Sequence, residues 1–165
     1  MKIHIRQADY RDPADTRLLV TLLDEYARDP MGGGRPLTPT VKARLPEALA
    51  QVPGAFSLLA FVDEEPAGLA NCFQGFSTFA ARPLINVHDL MVREAFRGRG
   101  LAGALLGEVE AIARRRGCCK ITLEVLAGNQ AARRAYEKAG FRPYELDPAM
   151  GRALFMERKL DLPSQ

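Results

Sequence analysis

Cysteine is scarce in this chain, and its placement excludes two classes of protein at once. Three residues, Cys72 and the adjacent Cys118 and Cys119, supply neither a disulfide framework nor the ligand spacing of a metal site. They read as small apolar side chains in a reducing compartment. Long hydrophobic runs are missing as well: no stretch approaches the ~20 residues of a membrane-spanning helix, and Met1 to Arg6 lacks the apolar core of a signal peptide. A cytoplasmic protein without a membrane partner is the expectation. An excess of one charge is also lacking, since 23 basic residues stand against 20 acidic ones. That balance argues against a protein that lives on nucleic-acid backbone. No internal repeat or low-complexity segment occurs.

What is present is one domain's worth of ordinary globular sequence, 165 residues with 47% hydrophobic and 26% charged side chains. Lys2 to Arg6 alternates as a first strand. Leu18, Leu19, Leu22, Leu23 and Tyr26 stripe a helix over residues 14–28, ended by Pro30. The run Met31 to Pro36 carries three glycines and reads as a mobile connection, because no strand precedes it and no Gly-Lys-Ser/Thr follows. Thr38 and Pro39 open a second helix near residues 38–50. Phe56 to Val62, a turn at Asp63 to Pro66, and Ala67 to Phe76 then form a hairpin.

Leu84 to Val92 is apolar at both parities and reads as a central strand covered on both faces, with Asn86, His88 and Asp89 as its unusual members. Leu101, Leu105, Val109 and Ile112 mark a long helix ending near Gly117. Lys120 to Leu126 is a further buried strand. Asn129 opens a helix striped by Ala132, Ala135, Tyr136 and Ala139 and stopped by Gly140. Phe141 to Glu145 and Leu154 to Leu160 are expected to be closing strands.

Between central strand and long helix lies a glycine-bearing turn, the arrangement that cradles pyrophosphate on the N–H groups of a helix start. Gly98-Arg99-Gly100-Leu101-Ala102-Gly103 matches the dinucleotide pattern G-x-G-x-x-G, and Glu124 follows about 20 residues later. Three features oppose that reading: Arg93 to Arg97 separate the loop from the strand, Arg97 and Arg99 make it cationic, and Glu124 falls inside its expected strand. Read from Arg97, the segment Arg97-Gly98-Arg99-Gly100-Leu101-Ala102 matches Gln/Arg-x-x-Gly-x-Gly/Ala. Asn129 to Phe141 matches Asn-x-x-Ala-x-x-x-Tyr-x-x-x-Gly-Phe.

On these two motifs the chain resembles the GNAT superfamily of N-acetyltransferases. The resemblance implies a three-layer α/β domain with a mixed, mostly antiparallel sheet splayed at an acetyl-CoA site. It implies backbone contacts from Leu90, Met91 and Val92 to the pantetheine arm, and a diphosphate held by Arg97, Gly98, Arg99, Gly100, Leu101 and Ala102. Asn129, Ala132 and Tyr136 would complete the coenzyme site, without metal. A phenol of reference pKa ~10 can serve a thiolate of reference pKa ~8.5 as acid, so Tyr136 is the expected proton donor, against a plain core tyrosine. His88 occupies a position where some polyamine-acetylating relatives carry glutamate, and is the candidate base or a structural histidine. Glu124, expected buried, is the other candidate base or a hydrogen-bonded strand residue. Asn129 could cap its helix, bind coenzyme, or both. Asp89 should face away from His88 unless a bulge reorients the strand. The acceptor is a small amine or a protein amine, from a side that includes Asp24, Glu25 and Tyr26. A binding module for CoA or a dinucleotide is the competing class, and a homodimer is left open.

Overall fold

A computed structural model describes residues 1–161. Its strands are β1 (Ile3–Gln7), β2 (Phe56–Val62), β3 (Glu65–Ser77), β4 (Arg82–Val92) and β5 (Ile121–Leu123), ordered β1-β2-β3-β4-β5 in one sheet. All neighbours are antiparallel except β4 and β5, which run parallel. Helices α1 (Pro13–Arg28) and α2 (Pro39–Gln51) follow β1, α3 (Leu101–Arg115) connects β4 to β5, and α4 (Gln130–Lys138) follows β5. Among the described residues no helix is long and apolar enough to cross a membrane.

Caps set the starts of three helices where the sequence places them. Asp12 accepts the Ala14 N–H ahead of Pro13, Thr38 accepts from Val41 ahead of Pro39, and Asn129 accepts from Ala132. The β2–β3 turn has left-handed Asp63 and Glu64, with φ of 47° and 72°, the twist a two-residue hairpin needs.

Strand alternation then sorts the core into two layers. Phe56, Leu58, Ala60 and Val62 of β2 join Leu101, Leu105 and Val109 of α3 on one face, while Leu59 joins Leu19 and Leu22 of α1 and Leu49 of α2 on the other. The sheet is therefore covered on both sides, as the apolar character of β4 requires.

Two strand expectations fail. Residues 120–126 pair with β4 only through Ile121, Thr122 and Leu123. Segments 141–145 and 154–160 form no strands; Ala153 N–H to the Tyr144 carbonyl, 3.4 Å, is their recorded backbone link, and Leu154, Phe155, Met156 and Leu160 are exposed. A three-residue β5 offers them little edge to pair with, and strand-like composition alone makes no ladder.

The Arg6–Asp15 pair ties β1 to α1. The Arg6 guanidinium donates to both oxygens of buried Asp15, at 2.7 and 2.6 Å, and the Asp9 N–H donates to Oδ2 at 2.8 Å. These donors, the Arg6 hydrogen bond foremost, hold the Asp15 carboxyl below its usual range. Its stabilisation is therefore present above the ordinary carboxylate pKa and lost as pH falls through the depressed one. Asp15→Asn should cost about 2–4 kcal/mol near pH 7, and the gap from the parent should narrow below about pH 4; denaturant melts across pH check both.

Candidate active site

β4 leaves β5 after the pair Val87 and Leu123, so residues 88–92 keep β3 on one edge and have no strand on the other. The Arg93 N–H donates to the Ala67 carbonyl of β3. Counting back by twos, the main-chain groups of Leu90 and Val92 point to the free edge. The Val92 carbonyl is taken there by Arg97 Nε, at 3.0 Å.

A bulge lies just upstream. Asn71 opposes Asp89 while Cys72 opposes Val87, so His88 is the extra residue without a cross-strand partner. Val87 and Leu90 both pack with the α3 layer, which sends His88 and Asp89 together to the α1–α2 side. The bulge thus supplies the reorientation on which Asp89's placement depended. His88 is exposed and meets the Phe73 ring edge-on, centroids 5.4 Å apart.

The free edge continues into the glycine turn. Gly98 and Gly100 have φ of 76° and 84°, values that favour glycine, and a Cβ built on either would meet nothing within 4 Å. Unlike the other three α-helices, α3 starts on a residue with no side-chain cap. Its first internal bond runs from Ala104 N–H to the Gly100 carbonyl, so the N–H groups of Leu101, Ala102 and Gly103 have no acceptor within the helix. An open, uncapped helix start backed by glycine suits a diphosphate.

A cleft of about 960 Å³ brings these parts together. Leu90, Met91 and Val92 line one wall, and Gly98, Gly100, Leu101 and Ala102 one end. Asn129, Ala132 and Tyr136 of α4 form the opposite wall, with His88, Glu124 and Arg97 also at its boundary. Asn129 is a cap and a cleft residue at once.

Tyr136 is 9% exposed and tilts against Phe141, centroids 6.1 Å apart. Burial, and secondarily the Tyr26 phenol, push its hydroxyl up to about 12. It is therefore protonated throughout the physiological range and available as a hydrogen-bond donor. Full transfer to a thiolate of reference pKa ~8.5 would run uphill by roughly 5 kcal/mol.

One site expectation needs correction. Glu124 is neither in a strand nor buried; it is exposed just past β5, because the ladder ends at Leu123. Arg99 does not border the cleft and instead lies over the Phe96 ring at 5.6 Å. The turn's other arginines are engaged within the protein: Arg93 pairs with Glu25 through two contacts of 2.6 and 2.8 Å, and Arg97 reaches Asp29 at 3.2 Å. Asp29 and Met31, which also border the cleft, were not among the sequence candidates. The 68-residue separation of Asp29 from Arg97 leaves no local signal.

The model of the acetyltransferase (GNAT) family matches residues 17–141. The chain belongs to that family. It is 38% identical over 68 residues to the uncharacterized N-acetyltransferase YycN of Bacillus subtilis, covering 41% of this chain and 42% of that protein. It is 32% identical over 83 residues to the thialysine N-epsilon-acetyltransferase of Caenorhabditis elegans, covering 50% and 51%. The matched stretches thus span about half the length of these relatives or less. The fold is shared with AAC(6')-Iy, solved in complex with the bisubstrate analogue CoA-S-monomethyl-acetylneamine: TM-score 0.75, 17% identity, 97% of this chain and 100% of that one. The family's sheet, with a single parallel pair, also removes the dinucleotide reading, which needs a doubly wound parallel sheet.

Spectrophotometric titration of the tyrosines should contain a transition near pH 12 that disappears in Tyr136→Phe; a spectrum in which that variant removes only a transition near 10 would contradict the buried phenol.

Proposed function

We propose that this protein is an acetyl-CoA-dependent N-acetyltransferase, a single domain over residues 1–165 acting in the cytoplasm, that moves an acetyl group to a primary amine by direct attack. The observation that carries the reading is the meeting, in one cleft, of the free β4 edge, the uncapped start of α3 and the Tyr136 phenol. The coenzyme fits these residues: its diphosphate has N–H donors and empty space beside Gly98 and Gly100, and its arm has the Leu90 carbonyl and the Val92 N–H to pair with, the Val92 carbonyl being held by Arg97.

The bound thioester supplies an activated acyl group and a thiolate that can leave. The main-chain N–H of Leu90 polarises the acyl oxygen without needing a polar side chain there. Tyr136 donates a hydrogen bond to the sulfur as charge develops, and because its pKa is high, the stabilisation is chiefly this bond rather than release of a free proton. An attacking amine must shed a proton. His88, brought to the α1–α2 side by the bulge, receives it directly or through water; Glu124 at the open mouth is the other route to solvent. A small amine and a protein amine both fit an acceptor side this open. The second reading, a CoA-binding module without turnover, shares every coenzyme contact and differs only in rate.

Calorimetric titration with acetyl-CoA, CoA and NAD separates the possibilities: binding of both CoA forms with no NAD binding is expected, and tight NAD binding without CoA binding would refute the transferase. Thiol release measured against a panel of amines then reports turnover. Tyr136→Phe should lower that rate about ten-fold or more, and an unchanged rate would remove Tyr136 from the mechanism.

A further inference from the structure

A line of buried hydrogen bonds crosses the sheet from the loop after β1 to the bulge in β4. The Tyr10 hydroxyl lies 2.8 Å from Ser57 Oγ, Ser57 Oγ lies 2.6 Å from Asn71 Oδ1, and Asn71 Nδ2 lies 3.0 Å from Asp89 Oδ2. Ser57 and Asn71 are 0% and 3% exposed, so the middle of the line is sealed from water. Its direction follows from the last member. An ionised carboxylate only accepts, so Asn71 must present its NH₂ group to Asp89 and its oxygen to Ser57. Ser57 then spends its one proton on Asn71, and Tyr10 must donate to Ser57. Every donor in the line points towards Asp89, an arrangement in which successive hydrogen bonds reinforce one another.

Three acidic residues of α1 and its C-terminal end are otherwise engaged. Asp24 is held by Lys42, by Arg28 and by the Leu37 N–H; Glu25 is held by Arg93; and Asp29 is held by Arg97 and the Met31 N–H. Among the described residues no lysine, arginine or histidine pairs with Asp89. Asp89 is half-buried, lies beside the cleft rather than on its lining, with its strand neighbours His88 and Leu90 on that lining, and is close enough to Tyr26 that its charge, after burial, helps push that cleft-lining phenol up. A half-buried carboxylate without a counterion is costly unless a ligand brings one.

We propose that Asp89 binds an ammonium group of the acceptor, with Tyr10, Ser57 and Asn71 as the positioning residues that aim it, so that the acceptor is a cationic aliphatic amine. This deepens the transferase reading and rests on it for the word acceptor, while the binding itself does not require turnover. The bulge then has a purpose beyond His88: it sets a cation anchor and a proton acceptor side by side on one face.

The test is calorimetric titration of the protein, alone and with CoA present, using 1,4-diaminobutane, Nα-acetyl-lysine amide and, as an amine uncharged near neutral pH, aniline. The two cationic probes should bind and aniline should not. Asp89→Asn should weaken the cationic probes roughly ten- to hundred-fold, Asp89→Glu should stay nearer the parent, and Asn71→Leu should weaken them several-fold. In all three variants acetyl-CoA affinity should hold, a split that general unfolding would not produce. Cationic-probe affinity equal to the parent's in Asp89→Asn, or no binding of either cationic probe by the parent at millimolar concentration, would overturn the anchor. Loss of acetyl-CoA binding in the parent would instead overturn the transferase reading, and the two failures are read from separate titrations. Tyr10→Phe, a conservative change at a half-buried ring, should weaken the cationic probes two- to three-fold and gives a second route if Asn71→Leu does not fold.

Discussion

The site exists because β4 and β5 pair for only three residues. A parallel ladder carried on past Val87 and Leu123 would have satisfied the main-chain groups of Leu90 and Val92 internally and closed the gap between the strands. Ending it there leaves polar backbone on a free edge in an otherwise apolar sheet, a costly arrangement unless water or a ligand pairs with it. The same gap admits α4 on one side and the start of α3 on the other. Tyr136 and the unused N–H groups of Leu101, Ala102 and Gly103 thereby reach one volume. The cleft is a consequence of a ladder that stops early.

The bulge at His88 is the second consequence of strand geometry. One unpaired residue reverses the parity of β4, so Val87 and Leu90 share a face that strict alternation would deny them. It also places a histidine and an aspartate on the α1–α2 side at successive positions. The cost is met by Asn71, whose amide bonds Asp89 across the disturbed register, and by the buried line behind it from Ser57 and Tyr10.

Features fixed by short-range chemistry were legible in the sequence. The caps at Thr38 and Asn129, the glycines at 98 and 100, and the stripes of α1, α3 and α4 all depend on neighbours within a few residues. The family resemblance that those features carried named Leu90, Met91, Val92, Arg97, Gly98, Gly100, Leu101 and Ala102, and these border the cleft. What could not be read depends on distant partners. Residues 141–145 and 154–160 have strand-like composition, but composition does not say whether an edge is free to receive them. Glu124 stands in an apolar run that reads as a buried strand, but the ladder ends one residue before it. The pairings of Arg93 with Glu25 and of Arg97 with Asp29 each join residues 68 apart, and the bulge is a relation between two strands rather than a property of one.

Those two arginines change the account of how an anion would be held. Counted in sequence, the turn looks like a concentrated positive charge facing the phosphates. In the fold, Arg93 and Arg97 neutralise Glu25 and Asp29 and lash the end of α1 to the turn after β4, so their charge is largely spent on rigidity. Besides Arg134 and Lys138 at the cleft boundary, a diphosphate would meet the main-chain N–H groups at the start of α3, whose orientation is fixed by the helix and whose partial charges act at hydrogen-bonding distance. Such a cradle selects by shape and donor direction more than by net charge. That selectivity suits a ligand whose remaining contacts, along the β4 edge, are also made by backbone.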